Sequence, residues 1–192
     1  MKKYLLLHIL IISFVFLYTP IIKAAEEPQI TLRSSYRDLS VSRVQSMPNI
    51  SIREKEDWGF YGHSTINHSY DLKSINGDKV VIDHATDLMW HQGGSEKSKT
   101  WVRAKRWVMN LNIKGYAGYK DWRFPTVEEA ASLLESSGKK GSLYIDTVFN
   151  KKQKWIWTGD SLGSDSAWYI NFKAGNVGNS HLAVDDYVRP VR

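Results

Sequence analysis

Between Lys97 and Arg106 the chain places five cations: Lys97, Lys99, Arg103, Lys105 and Arg106. Such a cluster can attract the sulfate or phosphate groups of a polymer. It also fits the solvated side of an amphipathic helix, because outer helix faces are commonly charged. A second candidate is TGDSLGSDSAW, Thr158 to Trp168, preceded by Trp157. There the faces of Trp157 and Trp168 could stack on a sugar ring while Asp160 and Asp165 take its hydroxyls. The same oxygens offer a weak case for calcium, but the spacing matches neither an EF-hand loop nor the Glu-Pro-Asn triplet of calcium-dependent lectins. A plain surface loop is the simpler reading, and no cofactor is called for. The stretch GNSHLAVDDY adds Asp185 and Asp186 to the candidate ligand-binding residues.

The segment DWRFPT, Asp121 to Thr126, concentrates chemistry in a different way. Asp121 and Arg123 could reach a ligand from a rigid turn. Against that, Thr126 and Glu129 have the spacing of a capping box, and Pro125 stiffens the entry to a helix. The planar guanidinium of Arg123 suits a carboxylate or several loop carbonyls beneath Trp122. The regular capping chemistry makes Asp121, Trp122, Arg123, Pro125, Thr126 and Glu129 a structural corner.

Catalysis and metal binding find less support. Glu128-Glu129 and Asp185-Asp186 are adjacent acids, which point apart on a helix, and no nucleophile-elbow motif unites a serine with a histidine and an acid. His63, His68, His84, His91 and His181 show no zinc-ligand spacing. The chain has no cysteine, which removes thiol chemistry, lipid attachment through cysteine and disulfides together.

The elements that would position these residues begin near Trp58. Asn76-Gly77 is a strong hairpin signal, with KVVID and DLMWH as the following strands. Thr100 is placed as N-cap of a helix whose Trp101, Ala104, Val108 and Leu111 recur at helical spacing. A second helix starts at Thr126, with Gly138 as its left-handed stop. KWIWT, AWYINF and YVRPV read as late strands, with a turn at KAGN, and Pro190 confines the last strand to an edge or bulge. Strands, two main helices and strands again imply an α+β domain with short, mostly antiparallel strands.

Residues 1–24 read as a secretory signal peptide: Lys2 and Lys3, an apolar run from Tyr4 to Ile22, then Ala24. A retained membrane anchor is the competing reading, since the run approaches the length of a span. Cleavage would leave 23 bases against 20 acids on about 168 residues, too mild an excess to argue for nucleic acid. No later segment could cross a bilayer. Residues 25–57 form a polar leader with a short helix somewhere in Asp38–Gln45, and residues 58–192 form the domain, rich in tryptophan.

The pieces DHATDLMW, GYKDWRFPTVEEAASLL, WIWTGD, AWYINFKAG and YVRPVR stand in the order expected of the Lcl C-terminal domain family, and the resemblance covers roughly Val80 to Arg192. Asp87 stands where that family usually has Gly, and Phe124 where it has Leu. The family, named after the tail of a bacterial collagen-like adhesin, resembles C-type-lectin-like domains and, more distantly, the formylglycine-generating enzyme group. The resemblance implies a lectin-like mixed fold on an extracytoplasmic module, periplasmic, secreted or at a bacterial surface. It implies no known ligand; the adhesin's own domain is associated with sulfated polysaccharides, so polysaccharide or another surface polymer is the ligand class expected by analogy. The cysteine chemistry of the enzyme group is excluded, because this chain has no cysteine. A non-enzymatic binding or adhesion module is the leading expectation. A structural subunit of an envelope assembly, with protein partners and oligomers, is the alternative, and an uncharacterised hydrolase is a weaker third.

Overall fold

In the computed structural model, which describes residues 29–138 and 143–192, the polar N-terminal stretch is built into the fold. The candidate signal peptide lies outside the described residues. Ser40 caps a short helix, α1 (Val41–Val44), by accepting the Arg43 N–H. The strand β1 (Ile50–Glu56) then pairs antiparallel with β2 (Gly59–Ser64), so a boundary drawn between residues 57 and 58 falls in the turn of a hairpin. Polarity is misleading here because β1 is an edge strand. Arg53, Glu54 and Lys55 are exposed on it, and a register shift between Ile52 and Glu54 breaks its ladder. Charges and bulges of this kind discourage edge-to-edge pairing.

The Asn76-Gly77 turn has φ of 54° and 88°, the positive pair a two-residue hairpin turn requires. It joins β3 (Tyr70–Ile75) to β4 (Asp78–Asp83), and β5 (Leu88–His91) completes a sheet ordered β3-β4-β5. Asp87 enters β5 with φ 57°, so it takes the left-handed turn expected of Gly.

Next comes α2 (Trp101–Lys114), closed by Gly115 in the left-handed conformation at φ 69°. Thr100 precedes it, but its side chain makes no capping bond; the Trp101 N–H donates instead to the Leu182 carbonyl. A 3-10 turn at Tyr116–Gly118 leads to α3 (Val127–Ser132), where both bonds of the capping box are present. It stops at Leu133, well before Gly138. The Leu134 carbonyl is taken by the Ser64 N–H of β2, so a tertiary bond ends the helix rather than a glycine.

The strands β6 (Trp155–Leu162), β7 (Ser166–Asn171) and β8 (Asn176–His181) finish a five-stranded antiparallel sheet ordered β1-β2-β8-β7-β6. The YVRPV segment forms no strand of its own. Tyr187 bridges Ile156, and Val191 bridges both Trp90 and Arg123. Residues 37–39 run beside β6, with Leu39 N–H donating to the Ser161 carbonyl and Ser161 N–H to the Arg37 carbonyl. Both this strap and Tyr187 therefore cover the β6 edge. The architecture is α+β.

Neighbours on β6 and β7 point to opposite faces. Ile156, Trp168 and Ile170 join Phe60, Val177 and the α3 residues Val127, Ala130 and Ala131 in one core. Trp157 and Ala167 join Ala104, Val108 and Leu111 of α2, with Trp122 and Phe124, in the second. Trp90, Trp157 and Trp168 are fully buried. Each contributes about 4–6 kcal/mol of gross apolar burial.

Candidate functional site

The loop before α2 is held rigidly. Ser95 Oγ donates to the Lys97 carbonyl at 3.0 Å and accepts from the Val188 N–H at 3.1 Å. Lys99 exchanges backbone hydrogen bonds with Asp186 at 2.8 and 3.1 Å, and its carbonyl also accepts from Trp157 Nε1 at 2.9 Å. With the main chain fixed, the Lys97 and Lys99 side chains stand beside Arg103 and Arg106 from successive turns of α2. The four border a shallow depression of about 310 Å³, with Trp107 and Asn110 along one side. A smaller hollow of about 220 Å³ continues past Trp107 and Asn110 to Leu111, Ile113 and Lys114.

Among the described residues, none of these four cations pairs with a carboxylate. Lys105 is unpaired too, but it lies over the Trp101 ring at 4.0 Å, outside the depression. Their summed field is therefore available to a ligand. Asp186 sits next to this loop, and burial together with Asp185 pushes its carboxyl up to about 6. Trp107 is the member of the site that sequence reasoning missed, whereas Asn110 falls on the charged face of α2 by helical spacing. Trp107 falls one residue before Val108, at the border between the core stripe and the charged face, where helical spacing alone does not assign it.

The sugar-binding arrangement around Thr158–Trp168 does not form. Trp157 and Trp168 are fully buried, with Trp168 Nε1 donating to the Leu39 carbonyl at 3.1 Å. Asp160 is fully buried as well. Its Oδ1 accepts from Arg33 Nη1 at 2.9 Å and Arg37 N–H at 2.7 Å, and its Oδ2 from Arg33 Nη2 at 2.8 Å and Val127 N–H at 2.6 Å. All three are structural, because elements distant in sequence close over them. Asp165 and Asp185 are exposed, and Asp165 lies near the tip between β6 and β7. Among the described residues, no three metal-ligating side chains converge.

A family model described as the Lcl C-terminal domain matches residues 79–192. The chain belongs to the Lcl C-terminal domain family. No curated protein and no solved structure matches it. The Lcl C-terminal region so defined begins within β4, so β1 and β2, which lie before it, still complete its large sheet through β8.

The DWRFPT corner of this Lcl C-terminal domain is held by paired charges. Arg123 Nη1 and Nη2 reach Glu129 Oε2 and Oε1 at 2.7 and 2.6 Å, and Nη1 also reaches the Phe124 carbonyl at 3.1 Å. Glu129 is fully buried and accepts the Thr126 N–H at 2.8 Å, while Thr126 Oγ1 donates to the Arg33 carbonyl at 2.8 Å. Trp122 is locked by a two-way bond with Asn112, at 2.8 and 2.9 Å. Asp121 is exposed and pairs with Arg192 at 2.9 Å. Burial penalises the Arg123 guanidinium, yet the hydrogen bond and charge of Glu129 outweigh that and hold it above its ordinary value.

The buried histidines are spoken for as well. His68 bridges Asp83 and the Ser132 carbonyl, each at 2.7 Å. Burial opposes ionisation of Asp83, but the His68, Thr86 and Ala85 hydrogen bonds leave it below the usual carboxylate range. His91 stacks on Tyr116 at 4.1 Å and accepts the Gly94 N–H at 2.9 Å. Burial, then Arg189, lowers it to about 4. Arg189 is itself fully buried and, among the described residues, has no carboxylate partner; the Gln92 and Asn150 carbonyls and Gln153 hold it, and desolvation lowers it to about 9.

Proposed function

We propose that this Lcl C-terminal domain protein is an exported, non-enzymatic binding module that engages an anionic surface polymer, with sulfated or phosphorylated polysaccharide as the ligand class. The carrying observation is the depression bordered by Lys97, Lys99, Arg103 and Arg106, whose charges have no acidic partner among the described residues. Multiple anions along a polymer can meet several such cations at once, which raises avidity without a deep pocket. Trp107 and Asn110 supply an apolar face and an amide for the sugar units between charges. The signal-like N-terminus and the adhesin-derived family name support an extracytoplasmic place of action, and the likeness to C-type-lectin-like domains belongs to the same reading. The paired state of Asp160, Glu129 and Asp83 favours binding over acid–base catalysis, since those carboxylates serve the fold.

A glycan array that carries matched sulfated and unsulfated polysaccharides tests the reading. Retention of the sulfated forms that fades with added salt is the expected outcome. Equal retention of neutral forms, or silence on both, would contradict it.

A further inference from the structure

The outward pole of α2 carries apolar surface that neither core uses. Val102, Met109 and Ile113 are 57%, 55% and 72% exposed. At helical spacing they fall on one line, opposite Ala104, Val108 and Leu111, which face the core. The line is about 16 Å long. Exposed cations flank it, Arg103 and Lys114 on one side and Lys105 on the other, with Arg106 between Val102 and Met109.

We propose that this ridge is a docking face for the surface of an anionic lipid bilayer. The three apolar side chains can all enter a flat, deformable interface at once, while the long cationic side chains reach back to lipid phosphates. Charge complementarity selects this occupant. A second copy meeting the ridge about a two-fold axis would bring these unpaired cations against their own copies. An acidic protein would need a groove shaped to a straight convex ridge, which a bilayer does not. The apolar line itself takes no part in the proposed polysaccharide site, although Arg103 and Arg106 border both surfaces.

Because the chain has no cysteine, Met109→Cys in the full chain accepts a single environment-sensitive fluorophore, and Glu54→Cys on β1 serves as the control. Vesicles of phosphatidylcholine with about a third phosphatidylglycerol are compared with phosphatidylcholine alone, an excess of anionic lipid of the kind polybasic surfaces recognise. The expected result is a blue shift at position 109 on the anionic vesicles only, and none at position 54. Adding Val102→Ser and Ile113→Ser should weaken the vesicle response about tenfold or more. No shift on anionic vesicles, an equal shift at position 54, or an unchanged response of the Ser variant overturns the proposal. So does a shift that grows with protein concentration alone, which would mark a contact between copies. A larger shift with soluble polyglutamate than with vesicles would assign the ridge to an acidic protein and likewise overturn it.

Discussion

The DWRFPT corner and the loop leading into α2 are built from the same residue types and use them in opposite ways. At the corner, Arg123 meets Glu129, Arg33 meets Asp160, and both acids are fully buried. On α2, Arg103 and Arg106 stand in solvent and, among the described residues, form no ion pair with an acid. A charge whose partner is buried beside it has its field consumed locally. A charge without one projects it. The identity of a residue does not decide between structure and recognition; the distance to the nearest counter-charge does.

The largest break in that comparison should come from removing one partner at the corner. Glu129→Gln leaves Arg123 without its counter-charge and deprives the Thr126 N–H of a carboxylate acceptor. It is expected to lower unfolding stability in urea by about 3–5 kcal/mol. Arg103→Gln should stay within about 0.5 kcal/mol of the wild type in the same assay. Equal losses would erase the distinction.

The pH dependence sharpens it further. His91, ordinarily near 6.5, titrates at about 4 in the fold. The unfolded chain therefore binds the proton more readily, and stability falls by up to about 3 kcal/mol as pH drops from 6.5 to 4. Asp186, lifted from 3.8 to about 6, acts with the opposite sign. The folded state takes its proton first, so its contribution is lost as pH rises through that window. Asp186→Asn should add about 1–2 kcal/mol at pH 7 and leave the acid sensitivity of His91 unopposed between pH 4 and 6. A flat stability profile in the Asp186→Asn variant over that range would count against the His91 assignment, and no gain at pH 7 against that of Asp186.

The smallest contrast concerns helix starts. Thr126→Ala removes a fully satisfied cap and should cost about 1–2 kcal/mol. Thr100→Ala, which removes no capping bond, should change stability by less than about 0.5 kcal/mol by thermal unfolding.

What the sequence revealed follows from the range of the interactions involved. The Asn76-Gly77 hairpin, the α2 stripe and the Thr126–Glu129 box are decided within a few residues, and each formed. Trp157 and Trp168 flank a polar loop in sequence, which suggested a sugar platform. Lys99 and Leu39 cover them from 58 and 129 residues away. Asp160 met its partner Arg33 across 127 residues, which no local pattern signals. The strand β8 was hidden because NVGNSH lacks an apolar alternation; the neighbouring β7 and β2 specify it. YVRPV shows the reverse: its tyrosine and valines suit a strand, but its few bridges go to Ile156, Trp90 and Arg123 rather than to one partner strand. The cationic cluster was legible as residues, while the main-chain clamps that turn it into a depression were not.

The central claim is that recognition lies with the unpaired cations rather than with the polar loops. Its most direct test is a calorimetric titration of sulfated dextran into two double variants, Arg103→Gln with Arg106→Gln, and Asp165→Asn with Asp185→Asn. The account predicts that the first weakens binding by about tenfold or more, roughly the loss of 1.4 kcal/mol, and that the second leaves it unchanged. A loss confined to the second variant would contradict the account and return the site to the loops.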